Sequence, residues 1–461
     1  MHMRLKQDQE NIEQLLQTAV STATDFIRTL AERPAAIYPA EQEPDSLPEE
    51  GLGAAGALAA FQAKYGDGLS GSAGARYFGF VTGGSTPAAL VGDWLTAVYD
   101  QNPIADEDSI APKVEAEAIR LLRQLFSLPD EFIGTFVSGA TVANFVGLAQ
   151  GRQWLGLKHG RNVAQDGLIG LPQLPVLAAT PHSSSYKALA MLGMGKANLI
   201  KVDALPEREA MDIDALTAQL AALNGQPAMV VASSGTVNTV DFDDLAAVAH
   251  LKQTYDFWLH VDAAFGGFAA CSPRYAHLLA GLAAADSITI DAHKWLNVPY
   301  DSAMTFSRHP KLQVAVFENT AVYLGPMTEN PSLVHWTPQN SRRFRALPAW
   351  MTLMAYGRSG YQEIVERNCD QAAWLGEQID QSRHFRLLAP VNMNVVCFTL
   401  AGEPTIVDIQ RILAWLRDDG RVYLTPTQYG GVPGIRVAIS NWQTAQTDVE
   451  ICWQALRESM A

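Results

Sequence analysis

Seven short apolar runs, EFIGTFVSG, PVLAAT, ANLIKV, AMVVASSG, FWLHVDAA, SITIDAH and SAMTFSR, follow one another between residues 131 and 308 and alternate with stretches of helical spacing. Strands alternating with helices in this way build βαβ units around a mainly parallel sheet, here expected to have seven strands. Ligands of such a sheet sit in the crevice beyond the carboxyl ends of its strands. The last residues of each apolar run are therefore where chemistry is expected.

The two ends of the chain read differently. Residues 9 to 30 place Ile12, Leu15, Leu16, Val20, Ala23, Phe26, Ile27 and Leu30 at helical spacing, and the loop RPAAIYPAEQEPDSLPEEG follows. A lone amphipathic helix cannot bury its own stripe, so residues 1–75 are expected to pack on another domain or on a partner subunit. Residues 76–345 are expected to form the large α/β domain. Beyond 345, a long helix near 349–382, the strand-like NVVCFTL, a helix near 405–418 and GIRVAISN before a final helix predict a smaller C-terminal α+β domain over 346–461.

Composition excludes several classes. The 461 residues are 48% hydrophobic, enough for an extensive core. A formal charge of −15 repels polyanions and anionic lipid, so neither nucleic acid nor a membrane is an expected partner. MHMRLKQDQENIEQLLQ has no apolar run of signal-peptide type, and nothing approaches the ~18 consecutive apolar residues of a membrane span, so the expected location is the cytoplasm. Cys271, Cys369, Cys397 and Cys452 stand singly and are expected as buried free thiols, with no metal site.

Polar residues at strand ends carry the chemistry. Lys294 in DAHKWLNVPYDSA follows one apolar run and Asp262 ends another, 294 − 262 = 32 residues earlier, about one strand-helix-strand unit. Both side chains would face one crevice, either as a simple ion pair or as reactive groups. A lysine in such a place is either a snorkelling surface residue or a chemically used one. Ser138, Gly139, Ala140 and Thr141 turn a strand into a helix and expose backbone N–H groups to a phosphate, although many strand-to-helix turns carry such residues. His182 in ATPHSSSYKAL is either a residue at the start of a helix or an imidazole lying on an aromatic ring. Cradle, ring, carboxylate and amine together describe pyridoxal phosphate, which needs an amine to hold its aldehyde and a carboxylate to keep its ring nitrogen protonated.

HVDAAFGG and DAHKWLNVPYDSA, with their spacing, resemble the signature of the group II pyridoxal phosphate-dependent amino-acid decarboxylases, the family of aromatic-L-amino-acid, histidine and glutamate decarboxylases. The resemblance implies the fold type I, aspartate aminotransferase-like architecture and decarboxylation of an L-amino acid to its amine and CO2, while the N-terminal stripe and the Pro-rich loop predict a homodimer with its pockets at the interface. It also implies roles by position. Lys294 would be the Schiff-base residue, Asp262 the partner of the ring nitrogen, His182 the stacking ring and Ala264 the packing on the other face. Ala140, Thr141 and His293 would hold the phosphate, with Thr236 near the ring. AVYLGPM resembles the mobile catalytic loop and suggests Tyr323 as proton donor. GIRVAISN suggests that Arg436 binds the substrate α-carboxylate, although an arginine on a strand also serves in ion pairs. GARYFGFVTGGSTPA falls where the family builds its substrate pocket, which offers Phe80 and Thr82 as substrate contacts.

Two features depart from the family pattern. Asp291 and Ala292 stand where many members carry Asn and Pro, on the phosphate side of the site. The 74–88 segment matches neither the aromatic-specific nor the glutamate-specific pocket closely, so the amino acid consumed is not named by resemblance. Oxidative deamination to an aldehyde, an aldol-type reaction or transamination would use the same cofactor and fold.

Overall fold

A computed structural model describes residues 1–104, 108–320 and 331–460. All seven predicted runs form strands: β1 (Ile133–Val137), β2 (Val176–Ala178), β3 (Leu199–Lys201), β4 (Ala228–Ser233), β5 (Phe257–Asp262), β6 (Ser287–Ile290) and β7 (Ala303–Ser307). They pair in the order β1-β7-β6-β5-β4-β2-β3, with β7 antiparallel to both of its neighbours and the other pairs parallel. Every residue of β4, β5, β6 and β7 is buried. A parallel sheet covered on both faces requires near-continuous apolar runs, which is why the sequence reads as runs and not as alternation.

The helix Ala140–Lys158 lies across β5, β6 and β7 and begins at the cradle sequence. Its glycines let it approach closely: a Cβ on Gly147 would sit 2.5 Å from His260 Cε1, and one on Gly151 would sit 2.5 Å from Met229 Cε. Any larger residue would lift the helix off the sheet or displace His260.

A second sheet, β8 (Phe385–Leu387), β9 (Val395–Leu400), β10 (Thr425–Tyr429) and β11 (Val432–Ala438), is antiparallel in the order β10-β11-β9-β8. With helices Ile406–Asp419 and Gln446–Glu458 it encloses a separate core that includes Leu375, Phe398, Ile435 and Leu456. Helix Ala346–Asp380 connects the two sheets and bends at Gly357, whose φ of 57° belongs to the left-handed region that favours glycine.

The segment 74–86 passes between the sheets. Phe78 is buried in the second core, and its backbone bonds Tyr423 O and Ala438 N. Farther along, Asn297 Nδ2 donates to Gly83 O at 2.7 Å and Ser440 Oγ donates to Thr82 O at 3.1 Å. A Cβ on Gly83 would lie 2.0 Å from Lys294 O, so this position admits only glycine.

The N-terminal stripe forms two helices, Met3–Glu10 and Ile12–Arg28, separated at Asn11, where one helix was expected. Neither helix contains a buried residue: Ile12 is 51% exposed, Leu16 50% and Ile27 51%. The four cysteines are free and buried. Among the described residues no helix is long and apolar enough to cross a membrane.

Candidate active site

The carboxyl ends of β4, β5 and β6 open onto a cavity of about 330 Å³ lined by Ala140, His182, Thr236, Asp262, Ala264 and Lys294, among others. A second cavity of about 290 Å³ shares Ala140, His182 and Lys294 with it and adds Phe80, Thr82, Thr141, His293 and Arg436. Eleven of the twelve residues singled out from the sequence therefore converge on one place. Tyr323 lies outside the described residues.

Lys294 sits in the single helical turn Ala292–Trp295 directly after β6, with Nζ 5.2 Å from the centre of the Phe265 ring and 4.0 Å from Asp291 Oδ2. Asp262, the last residue of β5, accepts from Asn144 Nδ2 at 2.8 Å through one oxygen and from Ala264 N at 3.2 Å through the other. Each carboxylate oxygen thus faces a donor.

A relay of hydrogen bonds stands behind Asp262. Trp258 Nε1 donates to Ser287 Oγ at 3.1 Å, Ser287 Oγ lies 2.8 Å from His260 Nδ1, and His260 Nε2 lies 2.9 Å from Asn144 Oδ1. Because Asn144 Oδ1 can only accept, His260 carries its proton on Nε2, and the Asn144 amide is turned so that its NH2 faces Asp262. Burial pushes His260 down to about 4, so the ring is neutral near neutral pH and the polarity of the relay is fixed. The same amide reaches Ser184 Oγ at 3.0 Å, and Ser184 Oγ lies 2.8 Å from His182 Nδ1. Burial also lowers the His182 pKa, which keeps that ring neutral.

Asn144, Ser184, His260 and Ser287 are the site residues that the sequence reading missed. A signal was present: Trp258, His260 and Asp262 alternate along β5 and so share the face that helix Ala140–Lys158 covers, and Asn144 lies one turn into that helix.

Arg436, on β11, is 7% exposed. Its Nη1 donates to Val237 O at 2.9 Å, and its Nε has no partner. Glu209, whose charge it feels, is engaged by Asn238 Nδ2 and Thr239 Oγ1. No ion pair to Arg436 occurs among the described residues. Phe80 lines the same cavity at φ 58°, a strained backbone for an aromatic residue, and is 53% exposed.

A larger depression of about 650 Å³ near Arg208, Asp243 and Tyr275 contains none of these groups. Its arginines are already paired, Arg208 with Asp241 and Arg274 with Asp370. No cluster of metal-ligating side chains occurs among the described residues.

Residues 38–401 match the family model of the pyridoxal-dependent decarboxylase conserved domain. The chain belongs to that family. Its cofactor is pyridoxal phosphate, and its class of enzyme is the amino-acid carboxy-lyase. An aromatic-L-amino-acid decarboxylase of Manduca sexta is 28% identical over 367 residues, 75% of this chain and 70% of that protein. A tryptophan decarboxylase of Camptotheca acuminata is 25% identical over 402 residues, 83% of this chain and 80% of that protein. The crystal structure of an Oryza sativa TDC with PLP and tryptamine superposes with a TM-score of 0.90 at 24% identity, over 98% of this chain and 97% of that one. A Rhodiola rosea 4-hydroxyphenylacetaldehyde synthase superposes with a TM-score of 0.86 at 22% identity, over 98% of each chain. These superpositions assign the chain to the fold type I architecture, with a large, mostly parallel sheet and a smaller antiparallel one.

The residues present fit the family's cofactor. A buried carboxylate with oxygens held by two donors, an amine at the neighbouring strand end, a neutral imidazole and a helix N-terminus surround a single cavity.

Proposed function

We propose that the chain decarboxylates an L-amino acid to the corresponding amine and CO2, and that Arg436 receives the substrate α-carboxylate. The supporting observation is the state of Arg436 itself. A buried guanidinium with no ion pair among the described residues is costly, and an arriving carboxylate satisfies it with the planar two-point contact that arginine favours.

The bound cofactor supplies an electron sink for the pair left when CO2 departs. The chain's own residues do the rest. Lys294 would provide the amine for the covalent link. Asp262, whose oxygens face Asn144 and Ala264, would pair with the ring nitrogen and hold its proton. His182, whose Nδ1 is engaged by Ser184, would present its ring face to the cofactor, together with Ala264 and Thr236. The N-terminus of helix Ala140–Lys158, with Thr141 and His293, would hold the phosphate. Phe80 and Thr82 form the substrate side of the cavity, which continues into a space of about 420 Å³ lined by Tyr77, Val298 and Tyr300. That aromatic wall suits an aromatic side chain, in keeping with the names of the curated relatives.

The test is a screen of amino acids for CO2 release, with the product identified as amine or aldehyde. Aromatic substrates should lead, and Arg436→Lys should raise KM by roughly tenfold or more through loss of the two-point contact. Unchanged KM would return Arg436 to a packing role. Tyr323 is proposed as the donor that returns a proton to Cα. Tyr323→Phe keeps the ring and removes the hydroxyl, so CO2 should still form while amine yield falls; amine at the wild-type rate would place the donor elsewhere.

We also propose a homodimer. Helices Met3–Glu10 and Ile12–Arg28 contain no fully buried residue, and a stripe such as Ile12, Leu16 and Ile27 needs a second surface. Sedimentation at micromolar protein should give twice the chain mass, and an active monomer would defeat the proposal.

A further inference from the structure

Asp291 lies at the end of the strand that delivers Lys294, at the mouth of the proposed phosphate cradle, and it is 2% exposed. One of its oxygens, Oδ2, accepts from Ala140 N at 3.3 Å, the first N–H of helix Ala140–Lys158. The carboxyl thus stands beside the position that an incoming anion would use at that helix terminus. The other oxygen, Oδ1, is buried and receives no hydrogen bond, yet it lies 3.1 Å from His293 Nδ1. That nitrogen already accepts from Ser302 N at 3.4 Å.

Two acceptors facing each other at this distance repel unless a proton lies between them. On His293 the proton would leave Ser302 N without its acceptor. On Asp291 Oδ1 it would share the Nδ1 lone pair, which Ser302 N meets only at 3.4 Å, and Oδ2 would still accept from Ala140 N. The geometry is that of a neutral carboxylic acid, with Oδ1–H donating and Oδ2 accepting.

Titratable neighbours stand on every side: His293 and Lys294 on its own turn, Asp262 on β5, Tyr300 beyond the turn, and His182 and Arg436 across the cavity. Burial opposes the carboxylate, Lys294 and the bond from Ala140 N favour it, and Asp262 opposes it; burial prevails, raising Asp291 to about 7. Burial also drives His293 down to about 4, so the imidazole does not compete for the proton.

We propose that Asp291 is the carboxylic acid, not the carboxylate, whenever the cofactor's phosphate is in place, so that binding pyridoxal phosphate captures one proton from solvent and weakens as pH rises. The step is a protonation only: solvent H+ adds to a carboxylate oxygen, and no other bond changes. A phosphate ester is close to dianionic at neutral pH, and a second anion at the same helix terminus would repel it. The proposal rests on the placement of the phosphate at that terminus.

The test titrates pyridoxal phosphate into the cofactor-free full-length chain, following tryptophan fluorescence from about pH 6 to about pH 9, for wild type and Asp291→Asn. The ratio of wild-type to variant Kd cancels the pH dependence that Lys294 and the phosphate impose on both proteins. It should be flat below pH 7 and climb about tenfold per pH unit above it. Calorimetry in two buffers of different ionisation enthalpy should show wild type taking up about one more proton than the variant at pH 8. Pyridoxal, which lacks the phosphate, should show no such slope with wild type, a reading that stands even if the variant folds poorly. Equal slopes for the two proteins, or for pyridoxal and its phosphate, overturn the assignment. Ala140→Pro separates the underlying placement: proline is tolerated at the first helical position and removes only the N–H. If that variant binds pyridoxal phosphate with the affinity and the pH slope of wild type, the helix terminus and its bond to Asp291 play no part and the proposal falls; if it binds weakly, the comparison of slopes alone decides.

Discussion

Lys294→Ala is expected to abolish turnover, with a loss of roughly three orders of magnitude or more, and to remove the visible absorbance of the lysine-linked cofactor. The reason is local. Among the described residues Lys294 is the only primary amine lining either cavity, and the guanidinium of Arg436 cannot form the covalent link. The variant should fold normally. Among the described residues the side chain makes no hydrogen bond, its approach to Asp291 Oδ2 being 4.0 Å, and alanine suits the turn Ala292–Trp295. An unchanged thermal midpoint together with lost absorbance and lost CO2 release is the expected set of readings. A variant that kept the absorbance without added amine would move the attachment point to another residue.

What could be read from the sequence follows from where each signal lives. The large sheet was legible because its strands are buried on both faces and so announce themselves as apolar runs. β8 has three residues, and β10 is TPTQY, a half-exposed edge strand with a proline, so neither carries a periodic signal. Lys294, Asp262 and His182 could be found because they interrupt apolar runs at strand ends. Asn144 and His260 left only the alternation along β5 as a signal, since a polar residue inside a helix or strand looks unremarkable until a partner more than a hundred residues away meets it, and Ser184 reads as an ordinary serine at a helix start. Asp291 was visible only as an unexpected acid, and its hydrogen-bonding problem arises from three separate segments. The break at Asn11 between the N-terminal helices left no mark in the hydrophobic stripe.

Asp262→Asn is expected to lower kcat by about two to four orders of magnitude while the cofactor remains bound. Two effects combine. An amide cannot act as the anionic partner that holds a ring nitrogen protonated, so the electron sink weakens. The amide also has no good orientation. Asp262 Oδ2 faces the NH2 of Asn144 and Oδ1 faces the N–H of Ala264, and both are donors. Asn144 cannot turn over to help, because its oxygen is held by His260 Nε2, whose tautomer is fixed in turn by Ser287 and Trp258. Whichever way an asparagine is placed at 262, its NH2 opposes a donor, at a cost of about 1–3 kcal/mol for the buried pair left unmade. The variant should therefore show a lowered thermal midpoint as well as a lowered kcat. The relay also separates a chemical role from a structural one: if Asp262 only supported the fold, stability would fall and kcat per bound cofactor would not. Measuring kcat against cofactor occupancy decides between them, and a near-normal value would reduce Asp262 to the end of a structural hydrogen-bond chain.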